Sequence, residues 1–523
     1  MDGIISGYPQ GSDITLLECF YQYPQKYIDD NGNTKYGDDA IVIIFKDNTT
    51  GKKDFRVIYK PEYTFYKLKD GISIDHNLLY IEKDKVDHIT CRYTDLEKTI
   101  AENCPQNIIE HVDLKMLNLY PTNLDWYYDN LKMKNRSENK KLHTIHEVFR
   151  SDMAIEDYYR FLFGQQYVNN IPKLNKAYFD IEVDTRWMSG SFVKMGECAI
   201  NAISYLDERT NTIISFLLND SRNPQIEEFR KSIETKAFNK TDIQNFLMDA
   251  IGGFKQYHRF KMDKFEVQFR FFDEEIALLK DFFKTVHEYS PDFIQGWNSS
   301  GFDINYIIAR IMELGYDPKD IMCKSDWHLK IVKHFIDEKN LSNFAERGDY
   351  TFISGLTVWI DQMIQFASRR KSKIGSFTSF KLDDIGVKVA KVHKLSYADI
   401  TSDIGMLPWL NYLRFVLYNI FDVVVQYCIE YKNQDTEYIY TKCLINNTSY
   451  KKGHRQTVYL INRMAKEFDA MGYIIGNNVN KWNEKPDKFA GALVGDPLHT
   501  NDYSKMKING VPIMVCETLQ DYD

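Results

Sequence analysis

The sequence predicts a multidomain α/β protein. Three observations carry that expectation: a chain of 523 residues, longer than one hydrophobic core can serve; turn-punctuated short strands through its first third; and, after residue 175, strand-like runs alternating with helical periodicity.

The first third mixes short apolar runs with Asp29-Asp-Asn-Gly-Asn33, Lys46-Asp-Asn-Thr-Thr-Gly51 and Lys69-Asp-Gly71, where Asn and Gly accept positive φ. This predicts a compact α+β or mostly β domain over residues 1–172. A Lys-rich stretch, Lys132 to Lys141, reads as a surface loop leading to a helix near Ile155 to Phe163.

From Lys176 three strands follow with short links, Ala177-Tyr-Phe-Asp-Ile-Glu-Val183, Ala199-Ile-Asn-Ala-Ile-Ser-Tyr205 and Ile213-Ile-Ser-Phe-Leu-Leu218, as in an antiparallel meander. Phe293-Ile-Gln-Gly-Trp297 reads as a buried strand. Ile304 to Leu314 repeats apolar residues at helical steps, and Trp409 to Tyr431 does so through Leu410, Leu413, Leu417, Ile420, Val424 and Tyr427. A second domain over 173–435, a segment 436–488 returning to the first domain and a further domain opening at 489–523 complete the expected organisation. Val511 to Glu517 is strand-like within the last of these.

Composition narrows the function classes. Hydrophobic residues make up 44% of the chain and aromatic residues 14%, as in a folded protein, and the net charge of -8 argues against coating nucleic acid by charge alone. A local basic groove beside an acidic site stays compatible with that balance. Cys19, Cys91, Cys104, Cys198, Cys323, Cys428, Cys443 and Cys516 stand singly, without the spacing of a zinc site or disulfide framework. No basic-then-apolar leader and no run of about eighteen apolar residues occurs, so a cytoplasmic protein without membrane contact is expected.

Three acidic motifs carry the chemistry: Tyr178-Phe-Asp-Ile-Glu182, Asn298-Ser-Ser-Gly-Phe-Asp303 and Tyr418-Asn-Ile-Phe-Asp422. Alternation along a strand turns Phe179, Ile181 and Val183 towards a core and puts Tyr178, Asp180 and Glu182 on the opposite, solvent-reached face. Neighbouring carboxylates repel, and one takes up a proton unless a cation intervenes. Mg²⁺ or Mn²⁺ suit an all-oxygen donor set. Asp303 falls in the first turn of a helix, where the macrodipole favours negative charge; alone, it reads as an ordinary N-terminal acid. Tyr418 and Asp422 lie one turn apart on one helix face, and a phenol beside a ligating carboxylate can orient a water. Together the ordered motifs can supply four carboxylates and a phenol to two divalent cations, the equipment for hydrolysing a phosphodiester.

Asp-Ile-Glu on a strand, Asn-x3-Phe-Asp before a helix and Tyr-x3-Asp on a later helix resemble the exonuclease motifs of family B DNA polymerases. Gly296-Trp-Asn-Ser-Ser-Gly-Phe-Asp-Ile-Asn-Tyr306, Phe380-Lys-Leu-Asp-Asp-Ile385 and Tyr418-Asn-Ile-Phe-Asp-Val423 are similar to the T-even bacteriophage type, most strongly from about 175 to 430 and faintly at Tyr27-Ile-Asp-Asp-Asn-Gly32.

The resemblance implies a ribonuclease H-like 3′–5′ exonuclease domain, with the start of a polymerase palm near 489. It implies that Asp180, Glu182, Asp303 and Asp422 hold two Mg²⁺ or Mn²⁺ ions, that Tyr418 positions the water, and that Asn298 and Phe302 support the terminal nucleotides. The implied partners are a single-stranded DNA 3′ end, primer–template DNA, a separate or missing C-terminal polymerase chain, and a sliding clamp reached through that chain. The family's later polymerase motifs are absent from these 523 residues. A free-standing DNA or RNA exonuclease and a non-catalytic DNA- or polymerase-binding scaffold are the rival readings.

Other features have simpler readings. Tyr36-Gly-Asp-Asp39 is similar to a polymerase carboxylate motif but reads as an exposed hairpin. Arg369-Arg-Lys-Ser-Lys373 reads as a solvated loop, and His143 and His146 as surface histidines. Glu346-Arg-Gly-Asp349 lies between two strands, where similar proteins place a strand-separating hairpin. Phe489-Ala-Gly-Ala492 is similar to the family's Tyr-x-Gly-Gly/Ala linker, with Phe for Tyr.

Overall fold

A computed structural model describes residues 3–28, 34–74, 78–104, 142–453 and 455–477, with two short strands at 507–508 and 511–512. The expected turn at 29–33, the loop at 132–141, the linker element at 489–492 and most of the 489–523 segment lie outside the described residues. Residues 1–477 form one compact unit and 478–523 a second.

In the first unit, β1 (Ile14–Gln22), β2 (Ala40–Asp47) and β3 (Lys53–Tyr59) form an antiparallel sheet. β4 (Glu62–Leu68) pairs with β5 (Val86–Arg92). Their shared core reaches beyond the first 172 residues, since Phe20 stacks on Phe352 at 4.1 Å and Phe55 on Trp327 at 3.7 Å. Helix α1 (Ile155–Gln166) packs against β1.

The centre is an eight-stranded mixed sheet. Its strands are β6 (Lys176–Val183), β7 (Ile200–Asp207), β8 (Thr212–Leu218), β9 (Glu266–Phe272), β10 (Phe293–Gly296), β11 (Val332–Phe335), β12 (Tyr350–Ile353) and β13 (Val358–Asp361). Their spatial order is β9-β8-β7-β6-β10-β13-β12-β11. The meander β6-β7-β8 is antiparallel as the sequence predicts, whereas β10 runs parallel to β6, and β13 parallel to β10.

Two-residue alternation divides β6 between two cores. Ala177, Phe179 and Ile181 face α3 (Glu275–Tyr289) and α4 (Asp303–Glu313), which supply Leu278, Phe282, Ile304 and Ile307 to the same cluster. Tyr178 faces the other way, into a core shared by α2 (Pro224–Glu234) and α6 (Tyr412–Asn433). It is fully buried with its hydroxyl on Glu208 at 2.5 Å, so the open face expected for Tyr178, Asp180 and Glu182 closes over its first member. The covering helix, α6, is apolar on nearly every side, and 83% of its most apolar window is buried. Its length and composition would let it cross a membrane, but here it is the core helix of an α/β/α stack.

Asn411, with φ -157° and ψ 90°, separates α6 from a short helix at Leu407–Leu410 and accepts a hydrogen bond from the Arg414 amide. One continuous helix from Trp409 was expected; an N-capping Asn divides it. After α6, α7 (Asp435–Ile445) sends the Tyr440 hydroxyl to the Leu16 carbonyl at 2.7 Å. α8 (Gln456–Ala470) then leads to Tyr473–Ile475, which pairs with Tyr80–Glu82.

Several expectations are corrected by burial. Asp39 is fully buried, because Tyr21 of β1 and Arg92 of β5 close over its carboxylate and donate to it. Arg369 stays exposed, as the sequence predicts, yet it and the half-buried Arg370 converge on Asp435 at 2.7 and 2.9 Å and tie α5 (Gln362–Arg369) to α7. His143 is half-buried against Ser151 at 2.8 Å, and burial pushes its pKa down to about 4. The seven described cysteines are free thiols.

Candidate active site

Strand β6 and helix α6 cross so that Asp180 and Glu182 meet Asp422, with one oxygen from each lying within 4.8 Å of the others. Asp180 and Glu182 are half-buried at the end of the strand, and Asp422 is 2% exposed. Asn419, one turn before Asp422, donates to the Asp180 carboxylate at 3.1 Å, and Gln426, one turn after, donates to the Phe179 carbonyl at 3.3 Å. Both amides fix the helix to the strand in register.

Asp303 reaches the recess from a third direction. It is the first residue of α4, is buried, and accepts from the Ile181 amide at 3.3 Å. That bond holds it against β6 beside the trio, close enough for its charge to act on Asp180. The turn before it is built tightly. Asn298 adopts φ 61°; a Cβ at Gly301 would lie 2.6 Å from the Asn298 amide oxygen, and one at Gly296 would lie 2.6 Å from the Ser299 side chain. Each glycine leaves room for a neighbouring side chain, Asn298 at Gly301 and Ser299 with Phe179 at Gly296. Asn298 and Phe302 are half-buried on this turn, the Phe302 ring 5.4 Å from that of Tyr306.

Electrostatics make the recess ready for a cation. Burial, then the carboxylates of Asp422, Asp303 and Glu182, push Asp180 far above the ordinary carboxylate range. Burial foremost raises Glu182 to about 8, Asp303 to about 7 and Asp422 to about 6. One oxygen of Asp422 is buried with no hydrogen-bond partner. An all-oxygen set with an unpaired buried acceptor and mutually repelling acids fits a hard divalent ion.

Lys394, absent from the sequence reading, is the one chain cation in contact with Asp422 among the described residues, at 2.6 Å, and it lies 4.8 Å from the centre of the Tyr418 ring. Burial opposes its ammonium, yet Asp422, Tyr418 and Asp180 outweigh that effect and raise its pKa. Burial, then Asp422, raises the Tyr418 phenol, so it stays protonated and able to donate. Lys394 sits in an irregular loop between Val392 and Leu395, where no periodicity marks it. The Phe380 to Ile385 match ends nine residues earlier and was the nearest signal.

Residues 126–385 match the family model described as DNA polymerase family B, exonuclease domain. A DNA polymerase of Pyramimonas orientalis virus is 31% identical over 90 residues, covering 16% of this chain and 8% of that protein. A DNA-directed DNA polymerase of Escherichia phage RB69 is 24% identical over 340 residues, covering 62% of this chain and 33% of that protein. The chain therefore spans a third or less of the length of these relatives. Tyr418, Asp422 and Lys394 lie beyond the family-model match.

Proposed function

We propose, from the premise that residues 126–385 are a family B DNA polymerase exonuclease domain, that this chain hydrolyses the 3′-terminal phosphodiester of single-stranded DNA as the proofreading part of a replicative polymerase. The observation that carries this reading is the meeting of Asp180, Glu182 and Asp422 within 4.8 Å from two elements remote in sequence.

Asp180, Glu182, Asp303 and Asp422 would hold two Mg²⁺ or Mn²⁺ ions, with Asp303 oriented by the hydrogen bond it accepts from the Ile181 amide. Two such ions supply activation of a water and neutralisation of charge on the departing 3′ oxygen. The protonated Tyr418 hydroxyl orients the attacking water by donating or accepting one hydrogen bond. Lys394 keeps Asp422 ionised and presents positive charge to the scissile phosphate. Asn298 and Phe302 support the terminal nucleotide through the half-buried turn before α4.

The segment β8-β7-β6-β10-β13, with β6, β10 and β13 parallel and β7 antiparallel to both β6 and β8, supports a ribonuclease H-like reading of residues 173–435. Tyr440 on Leu16 and the Tyr473–Ile475 pairing support the return of 436–488 to the N-terminal domain. The palm start at 489–523, a C-terminal polymerase chain, primer–template DNA, a sliding clamp and a host-cytoplasmic location complete the proposal. A 5′-labelled single strand incubated with the protein and Mg²⁺ is expected to shorten stepwise from its 3′ end, and not with Asp180→Ala. Shortening of matched RNA alone would instead identify an RNA-processing enzyme.

A further inference from the structure

A cleft of about 250 Å³ opens where the chain leaves β6, walled among others by Arg186, Trp187, Asn201, Asn219, Trp409 and Tyr412. Its two sides are planar. The Arg186 guanidinium lies 4.0 Å from the centre of the Trp409 ring and 5.5 Å from that of Trp187, whose ring also carries Arg222 at 5.1 Å. Both cations are already matched: Arg186 forms two bonds to Asp184, at 2.7 and 2.5 Å, and Arg222 two to Asp220, each 2.8 Å. The cleft thus offers flat polarisable faces without net charge for a phosphate.

Its polar groups are incomplete. Asn219 uses its amide nitrogen on Asp273 at 2.6 Å, leaving its buried oxygen without a partner. The Asn201 oxygen is likewise buried and unpaired. Tyr412, 3% exposed, has a hydroxyl with no partner. Unmet polar groups of this kind are costly, and a ligand that donates hydrogen bonds between planar walls would satisfy them.

We infer that this cleft receives an unpaired nucleobase of the strand whose 3′ end enters the acid recess, with preference for bases bearing an exocyclic amino group. The inference rests on the exonuclease reading above. A cytosine amino group donates to the wall oxygens, whereas thymine presents a carbonyl oxygen at the same place. The Arg and Trp faces supply stacking. Position agrees: α6 runs from Tyr412 at the cleft to Asp422 in the recess, about 15 Å at ~1.5 Å per residue.

The test uses Asp180→Ala protein, so that strands stay whole, and fluorescence anisotropy with short labelled oligodeoxycytidine and oligothymidine. Oligodeoxycytidine is expected to bind about five- to tenfold more tightly, the size of one net hydrogen bond. Adding Tyr412→Phe, which keeps the ring and its packing, or Asn219→Ala should narrow the ratio below about twofold while thymidine binding holds, again by one hydrogen bond. The salt dependence should not change, because no phosphate contact is lost. In parallel, deoxycytidine should quench tryptophan fluorescence more than thymidine, and Trp409→Leu should remove that difference. Equal binding of the two oligomers, or a preference surviving both variants, overturns the cleft assignment. Failure of unaltered protein to shorten DNA, with the deoxycytidine quenching intact, overturns the nuclease reading alone.

Discussion

Strand β6 and helix α6 build two acidic clusters, one at each end of their crossing, and they differ in where the positive charge sits. At the far end Lys176 stands among three carboxylates, with its ammonium 2.5 Å from Glu437, 3.4 Å from Glu430 and 3.9 Å from Glu208. Burial opposes that ammonium, but the three acids hold its pKa above the ordinary value, and Lys176 in turn holds Glu437 low against its own burial. At the near end Lys394 pairs with a single carboxylate, Asp422, among the described residues, and Asp180 and Glu182 lie beside it with raised affinity for protons. A cluster centred on a chain-borne cation is a structural lock; one whose centre lacks that cation is a place for a mobile ion.

Breaking each cluster should therefore have opposite signatures. Asp180→Ala is expected to lower exonuclease turnover by at least about a thousandfold, the scale of losing a group that organises charge at the reacting bond, with little change in melting temperature. Lys176→Met should do the reverse, destabilising the fold by about 3–5 kcal/mol by stranding buried carboxylates, while the chemistry of the folded fraction survives. Chemical denaturation and single-turnover kinetics separate the two outcomes. Equal loss of turnover in both variants would refute the distinction between the clusters.

Smaller effects sharpen it. Lys394→Met should reduce turnover by about a hundredfold, the loss of one charge-stabilising contact, with partial recovery in Lys394→Arg. Metal affinity should rise with pH. Glu182 is raised by burial to about 8, so protons compete with the ion below that value. Each proton displaced costs about tenfold in affinity per pH unit. The metal-free fold should behave oppositely: raised carboxylates hold protons more tightly folded than unfolded, so stability falls as pH climbs from the unfolded range through about 8. Calorimetric Mg²⁺ titration and thermal melts at several pH values check both signs. Tyr418→Phe, which removes one hydroxyl and leaves the ring, should cost about tenfold in turnover, the value of one hydrogen bond to water.

Local order was legible in the residues. Alternation located β6, β7 and β8, helical spacing located α4 and α6, and both bounds differed little from the structure. The parallel strand β9 and the helices before it escaped notice, because Glu266, Gln268 and Arg270 interrupt its apolar residues and a short mixed segment reads as a strand only once a neighbour pairs with it. Tyr178 was placed on an open face because alternation tells which side a residue takes, and not what covers that side. His143 and Asp39 were read as exposed for the same reason: burial of a polar side chain depends on partners that local pattern does not reveal.

What the sequence determined by itself is the roster of acids and the elements that bear them, since periodicity and motif spacing are properties of neighbouring residues. What only the tertiary structure decided is their grouping: Asp180, Glu182 and Asp422 together, Asp303 beside them on the Ile181 amide, and Lys394 brought in from a loop without any pattern. The physical reason is that proximity across a sheet and a covering helix is set by packing of two cores. Charge is then judged by what lies within a few ångströms, at whatever separation along the chain.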